Sequence, residues 1–369
     1  MVAHLKGGVI DLFFISCAWH IGGAEHLENY GWAKEGWDLA PPRSSNVPCQ
    51  GGLPSSPHGT GIRLCDQKTR LMMLSAAKAG ATLATQMMFR QLGLVERANA
   101  YDPIWIHNYR EDVYEKEAEH WPRPAEVCGF STKDWLCVKI VRLPIDRIVS
   151  SYIHILKNMN QICQVPGGIN NFVRGELSQS TKNYDAKGCP DASFREFIDA
   201  VSLYGKQDKF VDPNDVHWMP QYEKEFDSPS SKLYYIPLEL IDSTVDALAD
   251  ATATGLRFNV SGLTSAHYIS KVDSLGFDSS ATPFSKLAAT TSRSGGGYGS
   301  VFPQYSTFLE EKYVAEKVCS LYCDDIQLYR RACNQRWLVA NEASFLECNA
   351  QLRYLNTVCP VPPPTNRHR

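Results

Sequence analysis

Short apolar runs alternate with helically spaced apolar stripes along the chain from about residue 63 onward. Residues 71–74 are one such run, which predicts a buried strand. A turn of small residues follows at 75–82, and residues 83–92 carry apolar side chains at helical spacing. A strand, a tight turn and a helix in this order predict the first unit of an α/β fold.

Three further apolar segments are predicted as strands. Residues 103–107 form a short one that ends at His107, and residues 233–238 form the last. Residues 135–141 are almost continuously apolar, as an inner parallel strand is. Together these segments predict a central parallel sheet flanked by helices, with loop-rich insertions.

The predicted helices are recognised by their starts and their apolar stripes. Pro144 suits the first turn of a helix, because proline has no N–H to leave unpaired there. A helix is also predicted over residues 193–203, and Asp242 or Ser243 is the candidate cap of another. The last predicted helix covers about 306–329.

Segments rich in Pro, Gly and Ser divide the chain. One of them, at 38–61, predicts a linker. We therefore expect an N-terminal segment and linker at 1–62, a folded domain at 63–345 and a C-terminal tail at 346–369. The apolar stretch at 9–18 is similar to a weak signal sequence and is too short to cross a bilayer.

Charge and cysteine content limit the functions to consider. The formal net charge of −3 gives no overall positive field for nucleic acid or a membrane surface, so an anionic ligand needs a local site. Twelve cysteines predict disulfides, above all among the C-terminal ones. The alternatives are buried free thiols, or a zinc site built on Cys319 and Cys323.

The turn between the first predicted strand and helix has the composition of an anion site. Backbone N–H groups and the helix dipole attract an anion at such a turn. Lys78 adds a positive charge, Gly80 permits a tight turn and Thr82 adds a hydroxyl. The sequence is not a Walker A loop, because the lysine precedes the glycine.

A second candidate anion site follows the strand at 135–141. Arg142 stands at the end of this strand, where a guanidinium is well placed to bind a phosphate through two hydrogen bonds. Ser150, two turns into the next helix, adds a possible hydrogen bond. The alternative interpretation is an amphipathic helix with solvated arginines.

Together these two segments resemble the sulfotransferase superfamily. Residues 78–82 are similar to its Pro-Lys-x-Gly-x-Thr motif, with Ala77 in place of the proline. Its second motif, Arg-x-Pro-x-x-Arg-x-x-Ser-x-Tyr, is matched at every fixed position, by Arg142, Pro144, Arg147, Ser150 and Tyr152. The resemblance implies a P-loop-like three-layer α/β fold.

Two further segments resemble the Golgi carbohydrate sulfotransferases. Residues 215–222 are similar to their His-Trp-x-Pro-Gln stretch, and residues 322–329 to their C-terminal Tyr-x-x-Asp helix. The resemblance spans about residues 68–332. It implies residence in the secretory pathway, in the Golgi lumen, with the cytoplasm as the alternative.

The resemblance also implies the donor and its ligands. The donor is 3′-phosphoadenosine 5′-phosphosulfate, and no metal is expected. Lys78 is expected to act on the bridging oxygen, the following turn on the 5′-phosphate, and Arg142 and Ser150 on the 3′-phosphate. The full set of expected donor-binding residues is Lys78, Ala79, Gly80, Ala81, Thr82, Arg142 and Ser150.

The general base is expected between the two phosphate motifs. The candidates are His107, His120, Glu111 and Asp112, and His107 is preferred because it ends a predicted strand. His217 is the candidate for the acceptor site. Arg293 is a further candidate for the 3′-phosphate.

The predicted reaction is sulfuryl transfer to a hydroxyl of a carbohydrate, a carbohydrate-like acceptor or a small metabolite. No nucleic-acid partner is expected, and membrane association stays open. The alternatives are a non-catalytic binding protein on a sulfotransferase scaffold and a P-loop-like ATP kinase.

Overall fold

A computed structural model describes most of the chain between residues 61 and 360. The leader-like stretch, almost all of the linker, His120, Arg293 and the end of the tail lie outside the described residues. The described residues are 52–53, 61–103, 105–117, 135–162, 172–205, 217–224, 226–227, 233–252, 258–260, 270–272, 278–291, 301–339 and 341–360.

A four-stranded sheet forms the centre of the fold. Its strands are β1 (Gly61–Asp66), β2 (Leu71–Ala76), β3 (Leu136–Val141) and β4 (Tyr234–Pro237), in the order β1-β2-β3-β4. Strands β2, β3 and β4 run parallel, whereas β1 pairs with β2 in the antiparallel direction. The carboxyl ends of β2 and β3 are therefore neighbours, which places the segments that follow them side by side.

Helices cover both faces of this sheet. Alternate residues of β2 point to opposite faces, so that Leu71 and Met73 belong to one apolar cluster and Met72 and Leu74 to the other. The first face is covered by α1 (Ala81–Gln91), α2 (Val95–Tyr101), α3 (Ile106–Asp112) and α6 (Ile241–Thr252). The second face is covered by α4 (Pro144–Ile162), α5 (Phe194–Gly205), α8 (Lys312–Leu321) and α9 (Cys323–Cys333). The predicted three-layer α/β architecture is confirmed.

The remaining elements are short or peripheral. Two strands, β5 (Ser270–Val272) and β6 (Val301–Pro303), form a separate parallel pair. The other helices are α7 (Phe284–Thr291), α10 (Arg336–Val339) and α11 (Glu342–Val358), and short helical turns occur at Tyr114–Lys116, Val173–Leu177, Ser178–Ser180, Leu238–Leu240 and Tyr305–Leu309. Within the described ranges, none of the helices combines the length and the apolar character that a membrane span requires.

The predicted strand at 103–107 is wrong. His107 lies in the first turn of the helix α3. The Asp102 carboxylate accepts hydrogen bonds from the Trp105 amide at 2.9 Å and from the Asn108 side chain at 2.6 Å. This local turn starts a helix where a short apolar run, taken alone, does not distinguish strand from helix.

Two helix boundaries also differ from the prediction. Neither Asp242 nor Ser243 caps α6, because the chain enters this helix at Ile241 directly from the turn Leu238–Leu240. The single helix predicted over 306–329 is a helical turn followed by α8 and α9. The break falls at Tyr322, where the backbone leaves helical geometry with φ −109° and ψ 28°.

The C-terminal helix α11 is part of the folded domain. Disulfides join Cys319 to Cys359 and Cys333 to Cys348, which ties α11 to α8 and α9. The boundary predicted at residue 345 therefore falls inside a packed helix. The expectation of C-terminal disulfides is confirmed, and Cys319 and Cys323 are both oxidised and do not form a zinc site.

Removal of the Cys319–Cys359 disulfide is expected to destabilise the domain. The bridge closes a 40-residue separation, and loss of such a constraint costs about 3–4 kcal/mol in a chain-entropy estimate. The double variant Cys319→Ser/Cys359→Ser should lower the free energy of unfolding in urea by about that amount. An unchanged unfolding midpoint would contradict the disulfide's contribution to stability.

Candidate active site

The turn after β2 has a backbone that few side chains tolerate. Lys78 has φ +63° and Gly80 has φ +99°, both in the left-handed region. A Cβ atom at Gly80 would also lie 2.8 Å from the Leu238 side chain, so glycine is required there on two grounds. The turn leads directly into α1, which begins at Ala81 and presents the positive end of its dipole to the turn.

Two arginines, one just before α4 and one in its first turn, hold this turn. The Arg142 Nη1 atom donates to the Lys78 carbonyl at 2.9 Å, and the Arg147 Nε atom donates to the Ala77 carbonyl at 3.0 Å. The structure thus brings the two sequence motifs together at the neighbouring carboxyl ends of β2 and β3. Arg142 remains partly exposed, whereas Arg147 is fully buried.

Arg142 and Ser150 share a neighbour that the sequence did not indicate. Tyr305 is buried, its hydroxyl is hydrogen-bonded by the side chains of Arg142 and Ser150, and the Arg142 guanidinium lies 5.7 Å from the centre of its ring. Burial raises the pKa of Tyr305, and the positive charge of Arg142 partly opposes this rise. A phenol hydroxyl therefore completes the polar group around the second motif.

The buried side chains of Gln221 and Asp325 hold the backbone of the second motif in place. Gln221 forms a pair of hydrogen bonds with the backbone of Arg142, accepting from its N–H at 3.0 Å and donating to its carbonyl at 2.7 Å. Asp325, on α9, accepts from the backbone amides of Gln221 and Tyr222 at 3.0 and 2.8 Å. Its Oδ2 atom also lies 3.7 Å from Arg147 Nη1.

Glu239 is a second carboxylate in this region that sequence reasoning missed. It accepts a hydrogen bond from the Leu143 amide at 3.0 Å and one from the Tyr329 hydroxyl at 3.1 Å. Burial raises the pKa of Glu239, and the positive charge of Arg142 partly opposes this rise. Glu239 therefore fixes the chain immediately after Arg142 from the side of β4.

His107 contacts the first motif directly. Its Nε2 atom lies 2.9 Å from the Thr82 hydroxyl, and its ring lies edge-on to the partly exposed Trp105 with 5.1 Å between centroids. The other two described base candidates lie at the far end of α3. Glu111 pairs with Arg110 and Asp112 accepts from the Tyr101 hydroxyl, and both carboxylates are more than half exposed.

His217 lies against α4. Its ring stacks on that of His154 with centroids 4.8 Å apart, and its carbonyl accepts a hydrogen bond from Ser151. The neighbouring Trp218 is fully buried against Phe172 and Tyr204. His217 therefore lies beside the helix that carries Ser150, about one turn beyond that serine at His154.

Burial and two neighbouring arginines lower the pKa of Lys78. Burial is the main cause that lowers the pKa of its ammonium, and the positive charges of Arg142 and Arg147 lower it further, to about 7. Burial and the two arginines disfavour the protonated form of Lys78. An anion bound beside it would stabilise that protonated form and raise its pKa again.

The depressed pKa of Lys78 is directly measurable. After reductive ¹³C-methylation, one dimethyl-lysine NMR signal should titrate near pH 7, well below the ordinary lysine pKa of about 10.4. That signal should be missing in Lys78→Arg. In Arg142→Ala the pKa of Lys78 should rise, since a nearby positive charge is gone. If no lysine signal titrates well below the ordinary lysine pKa, the electrostatic description is contradicted.

A comparison with known protein families identifies the family of this chain. The family model described as "Sulfotransferase family" matches residues 63–330, which is more than half of the chain and includes the Lys78 turn, Arg142, Gln221 and Asp325. No curated protein and no solved structure matches the chain. The matched region begins within β1 and ends in α9, and it covers most of the chain, so the chain belongs to the sulfotransferase family.

Proposed function

We propose that the protein transfers a sulfuryl group from 3′-phosphoadenosine 5′-phosphosulfate to a hydroxyl. The observation that carries this proposal is the hydrogen bond from Arg142 to the Lys78 carbonyl, which joins two separate anion-binding groups. The Lys78 turn suits the 5′-phosphosulfate, and Arg142, Ser150 and Tyr305 suit a second phosphate. A nucleotide with phosphates at both its 5′ and 3′ positions satisfies both groups.

The residues of the Lys78 turn would bind and activate the donor. The backbone N–H groups of Gly80 and Ala81, with the Thr82 hydroxyl, would supply donors for the 5′-phosphate at the start of α1, whereas the Ala79 N–H donates to the Ala76 carbonyl at 3.0 Å. As the acceptor oxygen bonds to sulfur, the bond from sulfur to the bridging oxygen breaks and negative charge collects on that oxygen. Protonated Lys78 stabilises this charge.

His107 is our proposed general base. Its Nε2 atom already lies 2.9 Å from Thr82, within the first anion-binding group. The acceptor hydroxyl loses its proton as it attacks, and a neutral imidazole beside the 5′-phosphate site is suited to take it. The exposed positions of Glu111 and Asp112, at the far end of α3, make them weaker candidates.

We propose a carbohydrate or carbohydrate-like hydroxyl as the acceptor and His217 as an acceptor-site residue. The likeness of residues 215–222 to the Golgi carbohydrate enzymes supports both assignments. The two C-terminal disulfides favour an oxidising compartment, and hence the secretory pathway and the Golgi lumen over the cytoplasm. A small hydroxylated metabolite is the other acceptor class to test.

The donor assignment predicts a specific pattern of nucleotide binding. By isothermal titration, 3′-phosphoadenosine 5′-phosphate should bind at least about tenfold more tightly than AMP, because Arg142 and Ser150 contact only the 3′-phosphate. Arg142→Ala should remove this difference. Lys78→Ala should weaken both nucleotides.

Two outcomes of that titration would overturn the proposal. Equal binding of AMP and the bisphosphate would argue against a 3′-phosphate site, and preferential binding of ATP would favour a kinase. Tight bisphosphate binding without transfer to any hydroxyl would favour a non-catalytic binding protein on this scaffold.

The base assignment predicts a variant that binds but does not transfer. With ³⁵S-labelled donor and a panel of polysaccharides and small hydroxylated metabolites, His107→Gln should lower turnover by about 100-fold or more at unchanged bisphosphate affinity. Glu111→Gln is the matched control, since it sits on the same helix with an exposed side chain, and should retain wild-type turnover. Equal losses in both variants would contradict the assignment.

A further inference from the structure

We propose that Gln221, held in place by Asp325, is a positioning residue that sets the preference of Arg142 for the 3′-phosphate. This inference rests on the proposed function, since it concerns how that function's second phosphate is selected. Neither residue needs to touch the donor. Their effect passes through the backbone of Arg142.

The first step is the contact between Gln221 and Arg142. Strand β3 ends at Val141, whose partner in the sheet is Pro237 of β4. Beyond this point the Gln221 side chain pairs with both the N–H and the carbonyl of Arg142, as a neighbouring strand would. Gln221 is fully buried, so these two bonds are shielded from competition by water.

The second step is the support of Gln221 itself. Asp325, also fully buried, accepts from the backbone amide of Gln221 with one oxygen and from that of Tyr222 with the other. The backbone carbonyl of Gln221 accepts a hydrogen bond from the buried Lys139 ammonium at 2.8 Å. Gln221 is therefore fixed by a carboxylate from α9 and by an ammonium from β3.

The third step connects this support to the first anion-binding group. Arg147 lies between Asp325 and the Lys78 turn, because it pairs with the Asp325 carboxylate and donates to the Ala77 carbonyl. The Asp325 carboxylate is thus connected to Arg142 through Gln221, and to the Lys78 turn through Arg147. A shift of the Arg142 backbone would move its guanidinium away from Ser150 and Tyr305.

Arginine is sensitive to such a shift. Its planar group binds a phosphate well only when two N–H bonds are aligned together, and its long side chain has many rotamers. Fixing the main chain at Arg142 reduces the number of positions that the guanidinium samples. The amide pair is therefore expected to contribute to discrimination between nucleotides with and without the 3′-phosphate, beyond its contribution to stability.

The chain offers a matched control for this idea. Gln335 makes the same two hydrogen bonds with the backbone of Tyr235 on β4, at 3.0 and 2.7 Å. Gln335→Met and Gln221→Met therefore remove equivalent amide pairs from the same sheet. Only the second of these pairs holds the residue that we assign to the 3′-phosphate.

The test measures the affinities of wild type and both variants for 3′-phosphoadenosine 5′-phosphate and for AMP by isothermal titration. Gln221→Met should lower the ratio of the two affinities by about tenfold, whereas Gln335→Met should preserve it even if both variants unfold at lower temperature. Asp325→Asn should lower the ratio in the same direction as Gln221→Met. Should Gln221→Met not fold, Gln221→Glu retains the acceptor for the Arg142 N–H and replaces it in the comparison.

The outcomes separate this inference from the proposed function. A wild-type protein that binds AMP as well as the bisphosphate contradicts the donor assignment itself. A wild-type protein that prefers the bisphosphate, with the preference unchanged in the Gln221 variants, leaves the donor assignment standing and overturns the positioning role. Equal loss of preference in Gln335→Met would also overturn it, because the effect would then be one of general stability.

Discussion

The guanidinium of Arg147 is the group around which the site is organised. It has no exposed surface, and a buried charge is costly unless its donors find acceptors. Its partners come from distant parts of the chain: the Ala77 and Met219 carbonyls accept hydrogen bonds from it, and the Asp325 carboxylate forms an ion pair with it. Satisfying one buried cation therefore requires the Lys78 turn, the segment after His217 and the C-terminal helices to meet at one place.

The same requirement gives each motif a structural reason. In the second motif, Arg142 faces the site while Arg147 faces the interior, so two arginines five positions apart serve different purposes. The Gln of the His-Trp-x-Pro-Gln stretch pairs with the main chain of Arg142, and the Asp of the Tyr-x-x-Asp helix holds that glutamine. What looks like four separate motifs in the sequence is one connected network in the fold.

The sequence predicted the parts of this arrangement that depend on local pattern. Residues 71–74 and 135–141 were identifiable as buried strands because nearly every position is apolar, and Lys78, Gly80 and Arg142 because a strand end is followed by residues suited to anions. The segment at 103–107 misled because a run of five residues is too short to show a helical period, and the turn made by Asp102 is decisive there. The roles of Tyr305, Glu239 and Gln221 were hidden, since each depends on a contact across 79 or more residues of chain.

The position of Asp325 also has a consequence for how the protein is made. Its contacts with Gln221 and Tyr222 join residues more than 100 positions apart, so a nascent chain that has left the ribosome as far as β4 holds Lys78, Arg142 and Gln221 without the carboxylate that they depend on. In such an intermediate Arg147, which is buried in the folded protein, has not yet met the Asp325 carboxylate. Synthesis of the segment that contains Asp325 is thus the step that completes the site, and the chain before it exposes a buried-site arginine without its ion-pair partner.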